Sequence, residues 1–159
     1  MNTSPTRHRC RRRRGNAMIE FALATSLLIP AFSGIFQFGY TLYQYNLLSS
    51  AVTNGARYAS NRTYRALSGG ADLTKVKLAT QNVVVYGSPA GGSLPQARGL
   101  TTSNVNVTFT TSSTGVPLTV KVAITNFTVN GIFKSYTFNN SPVITFPYTG
   151  RYAPEEAEN

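Results

Sequence analysis

The sequence predicts an α+β chain: one long amino-terminal transmembrane helix that continues into a small extracytoplasmic domain built around an antiparallel β-sheet. Three observations lead there. Arg11, Arg12, Arg13 and Arg14 run directly into Gly15, and from Phe21 to Ala56 there are 36 consecutive residues without Asp, Glu, Lys or Arg. A membrane helix needs about 20 predominantly apolar residues, and positive charge collects on its cytoplasmic flank. From Val105 onward the apolar residues instead recur at every second position, the period of strands with one buried face.

Each element follows in order. Residues 1–15 form a basic leader, too charged and too poor in apolar surface to fold alone. A long helix is expected over 16–66, crossing the bilayer over about 19–42. Met18, Ile19, Phe21, Leu23, Leu27, Leu28, Ile29, Phe32, Ile35, Phe36 and Phe38 go all round its axis, as lipid requires. Pro30 is tolerated in such a setting when the carbonyl it frees is satisfied otherwise, so one bent helix is expected rather than two. At 1.5 Å per residue, helix from Asn16 to about Arg62 is roughly 70 Å long, over twice the hydrocarbon thickness of about 30 Å. Its outer half therefore serves as a stalk or as a spine for the domain. There Leu42, Leu47, Leu48, Ala51, Val52, Gly55, Ala56 and Ala59 are mixed with polar residues, the pattern of a helix packing by one face. Tyr40, Tyr43 and Tyr45 suit either an interfacial belt or plain packing.

The domain occupies 67–150. Ser68-Gly69-Gly70 ends the first helix, and Asp72 is placed to cap a second one with Leu73, Val76, Ala79, Val83 and Val84 on its apolar side, ending near Tyr86. A turn-rich loop follows at Gly87-Ser88-Pro89-Ala90-Gly91-Gly92. Val105, Val107 and Phe109 mark one strand. Val116, Leu118, Val120, Val122 and Ile124 mark the next, with Pro117 arguing against a central place for it. A third strand runs over Phe127 and Val129 or continues to Phe133, with a turn near Asn130-Gly131. Tyr136 and Phe138, then Val143, Ile144, Phe146 and Tyr148, supply one or two more. Residues 151–159 carry three glutamates and read as a flexible acidic tail.

The net charge of +10 resembles a nucleic-acid signature, yet six of the 15 basic residues lie in the first 14 positions. From Asn16 onward nine basic and five acidic residues leave +4, scattered and without a reading motif. No nucleic acid partner is expected. Cys10 is the sole cysteine, so no intrachain disulfide forms, and His8 is the sole histidine. Both lie among the leader arginines. No metal set, nucleophile–base pair or carboxylate pair can be assembled from what remains, and Gly69-Gly70 and Gly91-Gly92 lack the lysine of a phosphate loop. Neither a cofactor nor an enzymatic activity is expected.

A cleaved secretory signal would have an apolar run of about 7 to 15 residues and a small-x-small cleavage site, and the run here is too long. An uncleaved anchor accounts for the arginines but not for Glu20. The sequence Arg11–Arg14 with Gly15, Asn16-Ala17-Met18-Ile19-Glu20-Phe21-Ala22-Leu23, Pro30 and Gly55-Ala56-Arg57-Tyr58-Ala59 resembles the TadE-like proteins of tight-adherence pilus loci, within the type IV prepilin-like superfamily. The resemblance covers roughly residues 11–60. It implies cutting by a prepilin peptidase between Gly15 and Asn16, which makes Glu20 the fifth residue of the mature chain, a position such proteins keep acidic. The major pilin of these loci is much shorter and has Glu-Tyr where this chain has Glu20-Phe21, which points to a minor or accessory subunit.

The resemblance thus implies a pilin-like subunit of a tight-adherence type IV pilus, involved in adhesion or secretion. Its partners would be the prepilin peptidase, other pilin-like subunits, the inner-membrane pilus platform and the lipid bilayer. The expected location is the bacterial inner membrane, single-pass, with a cytoplasmic amino terminus, an extracytoplasmic domain and passage into a surface filament. Gly15 and Asn16 are the processing residues, Glu20 and Phe21 the assembly residues, and Arg11 to Arg14 the orienting ones. The alternative is a membrane-tethered extracytoplasmic binding module that joins no filament, its Thr- and Asn-rich strands contacting a surface or a glycan.

Overall fold

A computed structural model describes residues 9–62, 70–113, 117–131 and 133–150, with backbone alone at 9–14 and 70–72. The Ser68-Gly69 break, Arg65, Val116, the tail over 151–159 and the first eight leader residues lie outside these. The chain divides into two compact units, Met1–Tyr40 and Thr41–Asn159.

Helix α1 runs Arg9–Ser60 with Pro30 inside it, so the proline does not divide it. Its start precedes the expected Asn16, and Asn61 and Arg62 form a turn rather than further helix. In the first unit the large apolar side chains face outward: Met18 is 78% exposed and Phe36 74%. Such a surface would be costly in water and is what a lipid-facing helix presents. The stretch Gly15–Ser60 is long and apolar enough to cross a membrane.

In the second unit α1 changes partners. Leu48, Ala51, Val52, Ala56 and Ala59 recur at helical spacing and are fully buried. Helix α2, Gly70–Tyr86, adds Val84 and Val85 to the same core. Gly55 sits where a Cβ would overlap the Val84 Cγ2 methyl and lie 3.5 Å from the Thr80 carbonyl, so the two helices touch at a position that has room only for hydrogen. Thr80 is itself fully buried and satisfies its hydroxyl on the Val76 carbonyl at 2.7 Å. Because α2 starts at Gly70, Asp72 falls inside it rather than ahead of it as a cap. The helix ends as a left-handed glycine requires: Gly87 has φ +76° and its N–H donates to the Val83 carbonyl at 2.9 Å. Gln96 completes that end, its backbone N–H donating to Val85 O at 2.7 Å and its Nε2 to Val83 O at 3.3 Å.

A single 3-10 turn, Thr102–Asn104, leads into β1, Val105–Thr111. β2 is Pro117–Ile124, β3 Phe127–Val129, β4 Tyr136–Phe138 and β5 Val143–Pro147. One antiparallel sheet has the order β1-β2-β5, and β3-β4 form a separate hairpin. The strand that begins with Pro117 is therefore central, contrary to the expectation from that proline. Pro117 is the first residue of β2 and pairs with Thr111, where the β1–β2 register shifts, so its missing N–H falls outside the regular ladder. Val105, Val107, Val120, Val122 and Ile124 close the core from the sheet, with Ile144 and Phe146 of β5 packed against it. Asn104 holds the β2–β3 turn: its Nδ2 donates to the carbonyls of Thr125 at 3.2 Å and Asn126 at 3.0 Å. Asn126 itself takes φ +52° there, a left-handed conformation that asparagine tolerates better than most residues.

The last described residues close on the end of α1. Thr149 N–H donates to Ser60 O at 3.0 Å, Thr149 Oγ1 to Asn61 Oδ1 at 2.8 Å, and the Tyr148 hydroxyl to Arg62 O. Of these acceptors the Ser60 carbonyl is one that a helix terminus leaves without an intrahelical partner. Desolvation by burial raises the Tyr148 pKa above its usual value of 10.0. A group held protonated by the fold stabilises it fully below the unfolded pKa, and the contribution is lost as pH rises through the folded one. Tyr148→Phe is thus expected to lower stability by about 1 kcal/mol at neutral pH, the usual net worth of one hydrogen bond. It should also remove the part of the alkaline destabilisation above pH 10 that Tyr148 contributes, measured by urea unfolding across that range.

Candidate functional site

The residues singled out for processing and assembly all lie on α1 in the first unit. Arg11 to Arg14 occupy its opening turns, where backbone alone is described. Gly15 is helical rather than a helix boundary, and no atom beyond its own neighbourhood lies within 4 Å of where its Cβ would be. Asn16, Glu20 and Phe21 are all exposed, Phe21 to 73%. Asn16 and Glu20 are four residues apart, so they share one helix face about 6 Å apart along the axis. The helix thus places a carboxylate one turn beyond the Gly15–Asn16 bond, on a face that carries the same residue relationship in every copy of the chain.

The rest of this segment contains no other charged group up to Ala56. Ala22, Ser26 and Pro30, four residues apart, form a narrow side of small and polar character. Ser26 turns its hydroxyl inward to the Leu23 carbonyl at 2.8 Å, which leaves a smooth surface there. At Gly34 and Gly39 an added Cβ would meet no atom within 4 Å. Among the described residues no three His, Cys, Asp or Glu side chains group as a metal site would.

Residues 15–57 match the family of TadE-like proteins. The matched segment begins at Gly15, takes in Glu20 and Pro30 and ends at Arg57, so it contains the membrane-length helix and the first part of the domain core. No curated protein and no solved structure matches the chain. The match and the structure together describe a TadE-like amino-terminal segment whose helix is long and apolar enough to anchor the chain in a membrane, followed by a small domain with an antiparallel sheet.

The later part of the motif has a structural role that its sequence only hints at. Gly55, Ala56 and Ala59 are the tight contacts of α1 within the domain, while Arg57 points outward. Tyr58 lies under the Arg62 guanidinium, 3.9 Å from ring centroid to Cζ. The three tyrosines divide as well. Tyr43 is 61% exposed, whereas Tyr45 packs its ring 5.8 Å from that of Phe138. Sequence reasoning did not find the clasp of Tyr148 and Thr149 on the end of α1. Its partners are 86 to 89 residues apart, and three of the bonds end on backbone carbonyls.

Proposed function

We propose that the chain is a minor or accessory pilin-like subunit that takes part in assembling a tight-adherence type IV pilus. The observation that carries this reading is the placement of Glu20 five residues after Gly15 at the head of a membrane-length helix within the TadE-like match. In this reading the arginine leader stays in the cytoplasm and orients the helix, and the domain from Thr41 onward folds outside the membrane. A prepilin peptidase removes residues 1–15 and frees the amine of Asn16. Glu20 then pairs with the corresponding amine of a neighbouring subunit. In a lone subunit its own amine, one turn away, tempers the cost of a carboxylate at the bilayer edge. The work of the protein is assembly rather than catalysis.

The direct test is the intact mass and amino-terminal sequence of the protein extracted from membranes. The mature chain should begin at Asn16. Gly15→Leu should insert normally but retain residues 1–15, because a bulky side chain before the scissile bond does not fit a pocket shaped for glycine. An unchanged amino terminus in that variant would place the cut elsewhere. The outer face of the sheet supports a second reading. Thr108, Thr110, Thr119 and Thr145 surround Lys121 in adjacent register positions, a flat polar surface suited to a tethered binding module. A precursor left uncut in cells that process their other prepilins would favour that alternative.

A further inference from the structure

We infer that the β3–β4 hairpin is a second membrane contact, a foot by which the domain rests on the headgroups of the bilayer that α1 enters. The inference rests on the membrane reading of α1 and extends it to a part of the chain outside the TadE-like match.

Within the unit Thr41–Asn159, the sheet lies along the later part of α1. Tyr148, which follows β5 and donates its backbone N–H to Leu118 O at 2.9 Å, reaches Arg62 with its hydroxyl; Thr149 reaches Ser60. At the other end of β2, the chain passes Asn126 into the hairpin, whose root pair Phe127–Phe138 stands beside Tyr45. From the first to the last of its eight residues β2 spans about 23 Å at roughly 3.3 Å per step. From Tyr45 to Ser60, the end of α1, the helix covers about 22 Å at 1.5 Å per residue. The two measures agree, so β2 runs the length of this part of α1 and the hairpin root is level with Tyr45. The second hairpin pair, Val129–Tyr136, lies beyond the first on the side away from the sheet. Tyr45, beside which the root stands, follows the proposed bilayer edge near Leu42 by three residues.

The side chains that the hairpin carries there have interfacial chemistry. Phe133 is 62% exposed and Tyr136 43% exposed. The Lys134 ammonium lies 5.9 Å from the centre of the Tyr136 ring. An exposed phenyl group, a tyrosine with its hydroxyl and a long cationic stem match what lipid headgroups and the upper acyl region accept. Tyr43 of α1, two residues before Tyr45, is also exposed. The outward side of the hairpin is different in kind: Thr128 and Thr137 join their hydroxyls at 2.9 Å and offer no apolar surface. The apolar and cationic groups are thus confined to the tip, and the lysine selects anionic headgroups such as phosphatidylglycerol.

The test uses the full chain with Cys10→Ser, reconstituted in vesicles of phosphatidylethanolamine and phosphatidylglycerol. A single cysteine for a polarity-sensitive fluorophore is introduced by Phe133→Cys, Leu28→Cys or Thr110→Cys, three positions that are exposed. The label at 133 should shift to the blue and be quenched by lipid brominated high on its acyl chain. That quenching should weaken when phosphatidylglycerol is omitted. The label at 28 should be quenched by lipid brominated deep in the chain, and the label at 110, near the sheet end by Arg62, by neither. A label at 133 that behaves like the one at 110, with position 28 still quenched, overturns the foot and leaves the membrane helix standing. Absence of deep quenching at 28 overturns the membrane reading and the foot with it.

Discussion

Glu20→Gln is expected to give a protein that is inserted and cut like the unaltered chain yet fails to enter pili. Insertion does not suffer, because Glu20 lies at the bilayer edge, where a charge costs less than the roughly 2.5–3.5 kcal/mol of the helix centre, and the neutral amide lowers that cost further. Cleavage does not suffer either, because the scissile bond and Gly15 are untouched. What is lost, under the proposed pairing, is the attraction between the carboxylate and the amine of Asn16 on the next subunit. At 4 Å and an effective dielectric of about 20, that attraction is about 4 kcal/mol before desolvation is subtracted. Much of it is offset by removing both charges from water, so its main effect is on register: a misplaced neighbour leaves two buried charges unpaired. Sheared pilus fractions and membrane fractions, probed together with the intact mass, read both halves of the prediction. Normal incorporation of the glutamine variant with cleavage intact would end the pairing proposal.

The second large effect concerns the domain. Gly55→Leu should destabilise it by about 3 kcal/mol, the upper part of the range for overpacking a close-packed interior. A Cβ at 55 already overlaps the Val84 methyl, and the backbone of Thr80 lies directly behind. Val84 has no free volume to retreat into, since it is fully buried with Val85 and Val52 in the same cluster. Gly55→Ala should cost less, because a small shift of α2 can admit one methyl group. Urea unfolding of the two variants, followed by far-ultraviolet circular dichroism, should rank them in that order. Equal stabilities for the leucine variant and the unaltered chain would mean that α1 and α2 are not in the contact described.

The parts legible in the sequence were those with a period or a charge boundary. The membrane-length helix follows from the charge-free run after Glu20, and strands β1, β2 and β5 from the alternation of Val105, Val107, Phe109 and their counterparts. The second helix was found from Leu73, Val76, Val83 and Val84, although its start at Gly70 was not. What stayed hidden depends on pairing across long separations. No local pattern says that β5 lies beside β2 rather than beside β4, and Pro117 argued against the central place β2 holds. A proline rule describes the missing N–H but not where the regular ladder begins, and here the ladder begins after it. For the candidate site, the roles proposed for Gly15 and Glu20 come from the resemblance to TadE-like proteins, whereas the interfacial role proposed for Phe133 and Lys134 required the hairpin to be placed beside Tyr45.

The clasp between Thr149 and the end of α1 also sets an order in time. In the proposed topology, on a chain made from its amino terminus, α1 reaches the membrane early, but β5 and the residues that hold Ser60, Asn61 and Arg62 emerge more than 80 residues later. Until then β2 has only one strand beside it, and its side destined for β5 is open to other chains. In that topology the domain therefore passes through an interval as a two-stranded sheet tethered at the membrane surface. Residues 143–149 then cover the open side of β2 and clasp the end of α1 in one step, which leaves β5 as the edge on that side of the finished sheet.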